Sequence, residues 1–99
     1  MVNEANVSEV LQQIADEVEK ASSKFPTWPD DIIHAGNVVA EEAGELAKAI
    51  LQSVYEPHKA SIDDVREEAI QTGAMAVRFL MSLHRYDLRH STQHSQSAA

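Results

Sequence analysis

The apolar residues of the chain recur at intervals of three and four positions in three separate stretches. Each stretch predicts an amphipathic α-helix, because residues at this spacing share one helical face. The first helix is predicted over about Asn3–Lys24 and ends at FPTWPDD, whose two prolines cannot continue it. Its apolar face consists of Val7, Val10, Leu11, Ile14, Val18 and Ala21.

The second helix is predicted to be capped by Thr27 or Asp30 and to stop near Pro57. Its apolar stripe is wider than a surface helix needs, so we expect two of its faces to be covered. The stripe consists of Ile32, Ile33, Val38, Val39, Ala43, Leu46, Ala47, Ile50, Leu51 and Val54.

The third helix is predicted to start after Ser61, which has Asp64 at the spacing of a capping box, and to continue to about Tyr86. The fold predicted from these elements is all-α, a helical hairpin plus an N-terminal helix within a single domain of residues 1–87. Residues 88–99 are polar and lack periodicity, which predicts a disordered tail. Three helices make a thin core, so we expect a homodimer that completes a four-helix-type bundle.

Composition and charge narrow the class of partner. The 99 residues carry a net charge of −8, which argues against nucleic acid as a partner, because its phosphate backbone requires clustered lysine and arginine. There is no cysteine, no signal-peptide pattern at the N-terminus and no apolar run of about 20 residues. The sequence therefore predicts a cytoplasmic protein without a membrane partner.

Acidic residues lie among the apolar positions of the second and third helices. Glu41, Glu42 and Glu45 occupy one turn of the second helix, and Glu68 and Gln71 occupy one turn of the third. If the two helices are antiparallel, these turns lie at the same level. Carboxylate and amide oxygens suit Mg²⁺ or Mn²⁺, so the pattern is typical of a metal site. A solvated charged face is the alternative interpretation.

The segments EEAGELAKAI and REEAIQTGAM resemble the paired EExxE and ExxD motifs of the MazG-like all-α nucleotide pyrophosphohydrolase superfamily. The resemblance covers about half of the chain, from Ile32 to Leu83. The match to EExxE is complete, whereas the second motif has Gln71 in place of the family's aspartate.

This resemblance implies the Mg²⁺-dependent hydrolysis of a nucleoside triphosphate to a monophosphate and pyrophosphate. It implies that Glu42, Glu45 and Glu68 bind the metal, with Gln71 offering a neutral oxygen. Glu41 would be an acid beside the metal ligands or would help to position the attacking water.

Three further residues are candidates for substrate binding. Lys48 and Arg78 follow the acidic turns at helical spacing and would bind phosphate, unless they are ordinary surface cations. Trp28 precedes the second helix and would stack on a nucleobase, unless it is a hydrophobic plug at the end of the bundle.

The sequence leaves three functions open. The first is a homodimeric or tetrameric nucleotide pyrophosphohydrolase. The second is a catalytically impaired nucleotide- or partner-binding module of the same fold, and the third is a helical dimerisation protein with a charged surface.

Overall fold

A computed structural model describes residues 4–86. Within this part of the chain α1 spans Val7–Lys24, α2 spans Ile32–Tyr55, α3 spans Ile62–Ser82, and a 3-10 helix spans Leu83–Arg85. These residues contain no β-strand, so the all-α prediction is confirmed. The tail predicted at residues 88–99 lies outside the described residues.

The start of α1 differs from the prediction because an asparagine side chain caps it. The Asn6 side-chain oxygen accepts a hydrogen bond from the Glu9 backbone N–H at 2.8 Å. The backbone of Asn6 is extended, which places the first helical residue at Val7. A side chain that occupies a free N–H of the first turn stabilises a helix, so the local hydrogen bond decides where α1 begins.

The cap of α2 is Asp31, so the prediction of Thr27 or Asp30 was wrong. The Asp31 carboxylate accepts from the backbone N–H of Ile33 at 2.7 Å and of His34 at 3.3 Å. Asp30 instead accepts a hydrogen bond from Arg85, at 2.7 Å. Two neighbouring aspartates are equally good caps by residue type, and the tertiary contact with Arg85 distinguishes them.

The predicted capping box of α3 is confirmed. The Ser61 hydroxyl accepts from the Asp64 backbone N–H at 3.2 Å, and the Asp64 carboxylate accepts from the Ser61 backbone N–H at 2.8 Å. These hydrogen bonds to Ser61 lower the pKa of the Asp64 carboxyl below its usual value. The α-helix ends at Ser82, and the 3-10 turn carries the chain on to Tyr86.

The core of the three helices combines alanines with three large side chains. Helices α2 and α3 pack as a hairpin and α1 packs on α3, which confirms the predicted arrangement. The buried cluster consists of Ala21, Trp28, Ala35, Ala74, Met75 and Tyr86. No large side chain among residues 4–86 is fully buried, so the core is as thin as the chain length predicts.

Close approach of α1 to α3 depends on Gly73. A β-carbon at this position would lie 3.1 Å from the Cδ1 atom of Ile14, which is tighter than an ordinary contact. The glycine therefore brings the middle of α1 against α3. Gly36 and Gly44 have no neighbouring atom at the equivalent position, so close packing does not explain them.

Many large apolar side chains remain exposed in the single chain, several of them on α2. Ile33, Leu51 and Val54 are 74%, 58% and 64% exposed. Others are Val7, Leu11, Tyr55, Ile62, Leu80 and Met81. The single chain thus leaves apolar helix faces open to solvent. Between residues 4 and 86, none of the helices combines the length and apolar character required to cross a membrane.

Candidate functional site

The acidic turns of α2 and α3 lie side by side. Glu42 and Gln71 line the same cavity, and Glu45 and Glu68 line another cavity nearer the loop between the helices. An antiparallel pair produces this pattern, because a step of three residues along α2 is matched by a step of three back along α3. The structure therefore brings these four side chains to one face of the hairpin, divided between two cavities.

The electrostatics show that carboxylates crowd this face. Burial, followed by repulsion from Glu68, Glu45, Glu41 and Glu17, raises the pKa of Glu42 above its usual value. Burial, followed by repulsion from Glu45, Glu67 and Asp64, raises the pKa of Glu68. In both cases the ionised form is disfavoured by its surroundings. A cation between the helices would relieve this repulsion.

The side chains are not gathered into a metal centre. Among residues 4–86, no three histidine, aspartate or glutamate side chains are arranged so that they could hold a metal ion. The donors have the oxygen chemistry that Mg²⁺ prefers, and they lie on facing helices. Their chemistry therefore fits Mg²⁺, although Glu42 and Gln71 line one cavity and Glu45 and Glu68 line the other.

The larger cavity, which we call the main cavity, has a volume of about 540 Å³. It lies between α1, the hairpin and the segment of residues 25–29, and charges of both signs surround it. The acidic residues lining it are Glu17, Glu42 and Glu67, and the basic residues are Lys20, Lys24 and Arg78. Its volume is within the range of roughly 300–1,000 Å³ that is typical of small-molecule sites.

Arg78 is a buried cation that has no carboxylate partner within residues 4–86. Arg78 is only 8% exposed, and it takes part in none of the ion pairs formed among residues 4–86. Its Nη2 donates hydrogen bonds to the backbone carbonyls of Phe25 at 2.8 Å and Thr27 at 3.4 Å. A guanidinium stays charged in proteins, and a buried charge is costly unless it is paired. An anion in the main cavity would provide the missing partner.

Trp28 belongs both to the core and to the wall of the main cavity. It is 9% exposed, and its ring centroid lies 4.9 Å from the guanidinium carbon of Arg78. Its indole N–H donates to the Tyr86 hydroxyl at 2.7 Å. The burial of Trp28 agrees with the plug interpretation that the sequence left open, and stacking on a nucleobase stays a prediction.

The remaining predicted residues lie outside the main cavity. Lys48 is exposed and lines the smaller cavity, of about 230 Å³, together with Glu45 and Glu68. Glu41 is exposed and lines neither cavity, although its charge contributes to the raised pKa of Glu42. The structure thus groups Trp28 and Arg78 with one half of the acidic face and Lys48 with the other half.

Sequence reasoning missed the contribution of α1. Glu17, Lys20 and Lys24 line the main cavity from this helix. They are three and four positions apart along the helix. This spacing shows that they share a face, but only the packing of α1 on α3 shows that the face borders the cavity.

Comparisons with known proteins add no relative. No family model matches the chain, and no curated protein or solved structure matches it either.

Proposed function

We propose that the protein is a Mg²⁺-dependent nucleoside triphosphate pyrophosphohydrolase that releases a nucleoside monophosphate and pyrophosphate. One observation carries the proposal: the main cavity has the volume of a small-molecule site and combines the acidic side chain Glu42 with the buried cation Arg78, which forms no ion pair within residues 4–86. A polyanionic ligand that arrives with a divalent cation would satisfy both groups. The resemblance of EEAGE and REEAIQ to the MazG-like motifs supports the same reaction.

The metal would be held by oxygen donors of the hairpin. Glu42, Glu45 and Glu68 would supply carboxylates, and Gln71 would supply a neutral carbonyl oxygen. Bound Mg²⁺ would neutralise charge on the phosphate chain and lower the pKa of a bound water; Mn²⁺ has the same ligand preference. The raised pKa values of Glu42 and Glu68 support a cation here, because both carboxylates would gain from a positive neighbour.

The other residues of the site would bind and orient the triphosphate. Arg78, with Lys20 and Lys24 on α1, would bind phosphate oxygens in the main cavity, and Lys48 would do so at the smaller one. Trp28 would contact the nucleobase from the cavity wall. In this proposal Glu41 helps to position the attacking water.

The test is release of pyrophosphate from a panel of ribo- and deoxyribonucleoside triphosphates, with Mg²⁺ or Mn²⁺ and with EDTA as the control. We expect metal-dependent release from at least one substrate and its loss in Glu42→Ala. The exposed Glu19 of α1 offers a matched control, so Glu19→Ala should retain activity. The proposal fails if no triphosphate in the panel yields pyrophosphate.

A second candidate is a nucleotide- or partner-binding module of the same fold that has lost catalysis. It is favoured by Gln71 at the aspartate position of the motif and by the lack of three gathered metal-binding side chains among residues 4–86. A thermal-shift titration separates the candidates when combined with the hydrolysis assay, because a ligand that binds the folded state raises its melting temperature. Stabilisation by nucleotide without pyrophosphate release would favour the binding module, and no response to metal or nucleotide would favour a plain dimerisation protein.

We further propose that the protein is a cytoplasmic homodimer, or a tetramer formed from two dimers. The exposed apolar side chains support this, among them Leu51 and Val54 on α2 and Leu80 on α3. Patches of this kind typically mark association surfaces. Light scattering coupled to size-exclusion chromatography should give twice or four times the chain mass, and Leu51→Glu and Leu80→Glu should each lower it. A monomeric parent protein would refute the assembly.

A further inference from the structure

The segment of residues 25–29 is held in place by side chains from the C-terminal end of the helical hairpin. Four of its backbone carbonyls accept hydrogen bonds from such side chains. Arg78 donates to Phe25 and Thr27, Arg85 donates to Trp28 at 3.4 Å, and Tyr86 donates to Pro29 at 2.9 Å. Because two prolines keep this segment out of a helix, its carbonyls need partners of this kind.

Tyr86 makes two of the contacts through one oxygen. Its hydroxyl accepts the indole N–H of Trp28 at 2.7 Å and donates to the carbonyl of Pro29 at 2.9 Å. Tyr86 is 9% exposed, so water cannot readily replace either bond. The hydroxyl therefore sets the rotation of the indole ring relative to its own backbone.

The indole ring in turn packs on Arg78. The guanidinium carbon lies 4.9 Å from the ring centroid, a cation–π distance, and the same side chain donates to two carbonyls of the segment. The position of the buried cation thus depends on Trp28 and on the backbone of residues 25–27. Tyr86 holds the Trp28 ring directly and, through the Pro29 carbonyl, the end of the same segment.

We propose that Tyr86 is a positioning residue that holds the Trp28 ring against Arg78 and thereby sets the affinity of the main cavity for a polyphosphate anion. The proposal rests on the proposed function, because it takes Arg78 to be the phosphate-binding group. It adds that Tyr86, outside the acidic motifs and without contact with the substrate, controls that binding. Because Tyr86 occupies the indole N–H, Trp28 presents only ring surface to a ligand, which gives no hydrogen bond with which to discriminate between bases.

The experiment compares Tyr86→Phe with Tyr55→Phe, which removes the same hydroxyl from a tyrosine that is 77% exposed. The probe is inorganic tripolyphosphate, measured by calorimetry in EDTA, so that neither metal binding nor hydrolysis contributes. We expect Tyr86→Phe to weaken binding about fivefold, the effect of one ordinary hydrogen bond, and Tyr55→Phe to leave it unchanged. Trp28 is the single tryptophan of the chain, so its quenching by neutral acrylamide should also increase in Tyr86→Phe alone.

A double-mutant cycle with Arg78→Met distinguishes positioning from general destabilisation. If Tyr86 acts through Arg78, the Tyr86→Phe change should cause no further loss of affinity in the Arg78→Met background. Trp28→Phe, which keeps an aromatic ring and removes the N–H donor, should cause the same loss of tripolyphosphate affinity. This variant replaces Tyr86→Phe as the test if circular dichroism shows that Tyr86→Phe does not fold. The proposed role of Tyr86 would be overturned if folded Tyr86→Phe protein binds tripolyphosphate as the parent does, or if Tyr86→Phe causes the same loss in the Arg78→Met background. Either result would leave the proposed function standing. If the parent protein binds no tripolyphosphate, the proposed use of the main cavity is refuted together with the role of Tyr86.

Discussion

Replacing Glu42 by glutamine should stabilise the protein in the absence of metal. Four carboxylates repel Glu42 in the folded state, those of Glu68, Glu45, Glu41 and Glu17. A like-charged pair three or four positions apart on one helix, such as Glu42 and Glu45, costs about 0.2–0.5 kcal/mol, and we take the same order of magnitude for the other three pairs. Their sum is reduced because Glu42 is only partly buried and water screens the charges, so we expect a gain of about 1 kcal/mol in the free energy of unfolding. For a domain of this length that corresponds to a melting temperature about 4–8 °C higher.

The stability gained by Glu42→Gln should depend on pH. The pKa of Glu42 is raised in the folded state, so its protonation favours folding. That stability is fully present below the pKa of the unfolded chain, about 4.3, and is lost as the pH rises through the higher folded-state pKa. Glutamine cannot ionise and does not lose it. The advantage of Glu42→Gln over the parent should therefore be largest near pH 7 and vanish at about pH 3.5.

The assay is thermal unfolding followed by circular dichroism at one protein concentration, in low salt and EDTA. Glu19→Gln is the control, since Glu19 is exposed and should change the stability by no more than about 0.5 kcal/mol. Adding about 1 M NaCl should shrink the difference between Glu42→Gln and the parent, because the screening length falls to about 3 Å. An unchanged or lower melting temperature for Glu42→Gln at pH 7, or an equal gain at pH 3.5, would refute the electrostatic reasoning.

Three further changes test other parts of the structure. Gln71→Asp should lower the metal-free unfolding free energy by a few tenths of a kcal/mol and increase the stabilisation by Mg²⁺ in a thermal-shift titration, because it adds a carboxylate to the acidic face; a smaller Mg²⁺ response would contradict this. In urea unfolding, Asp31→Ala should lower the free energy of unfolding by about 1 kcal/mol, because it removes the α2 cap. Asp30→Ala should lower it by only about a few tenths of a kcal/mol, because the ion pair of Asp30 with Arg85 is exposed. A larger loss for Asp30→Ala would show that the cap is misassigned. Gly44→Ala should raise the free energy of unfolding by about 1 kcal/mol, because alanine favours the helix and nothing lies near the added methyl group. Gly73→Ala should raise it by less, because the added methyl group would meet Ile14. Equal gains would argue against a close helix contact at Gly73.

The helices and their order could be predicted because they depend on local properties of the chain. Apolar spacing, two prolines and the Ser61–Asp64 pair suffice to locate α3 and to end α1. The choice of Asp31 over Asp30 as the α2 cap could not be predicted. Both residues have the same side chain, and a contact with Arg85, far along the chain, separates them.

The candidate site, too, could be predicted in part. The spacing of Glu42, Glu45, Glu68 and Gln71 was sufficient to place them on facing turns, because helical periodicity and an antiparallel hairpin determine which positions meet. Their division between two cavities depends on how α1 and the segment of residues 25–29 pack against the hairpin.

Local sequence patterns therefore suffice to predict an all-α hairpin with an N-terminal helix and a line of oxygen donors along it. Long-range packing buries Arg78, which has no ion-pair partner among the described residues, and joins Trp28 to Tyr86 by a hydrogen bond. Helical periodicity operates over a few residues, so it can be read from the chain. The burial of a charge and a contact across 58 positions depend on packing between distant segments, which no local pattern records.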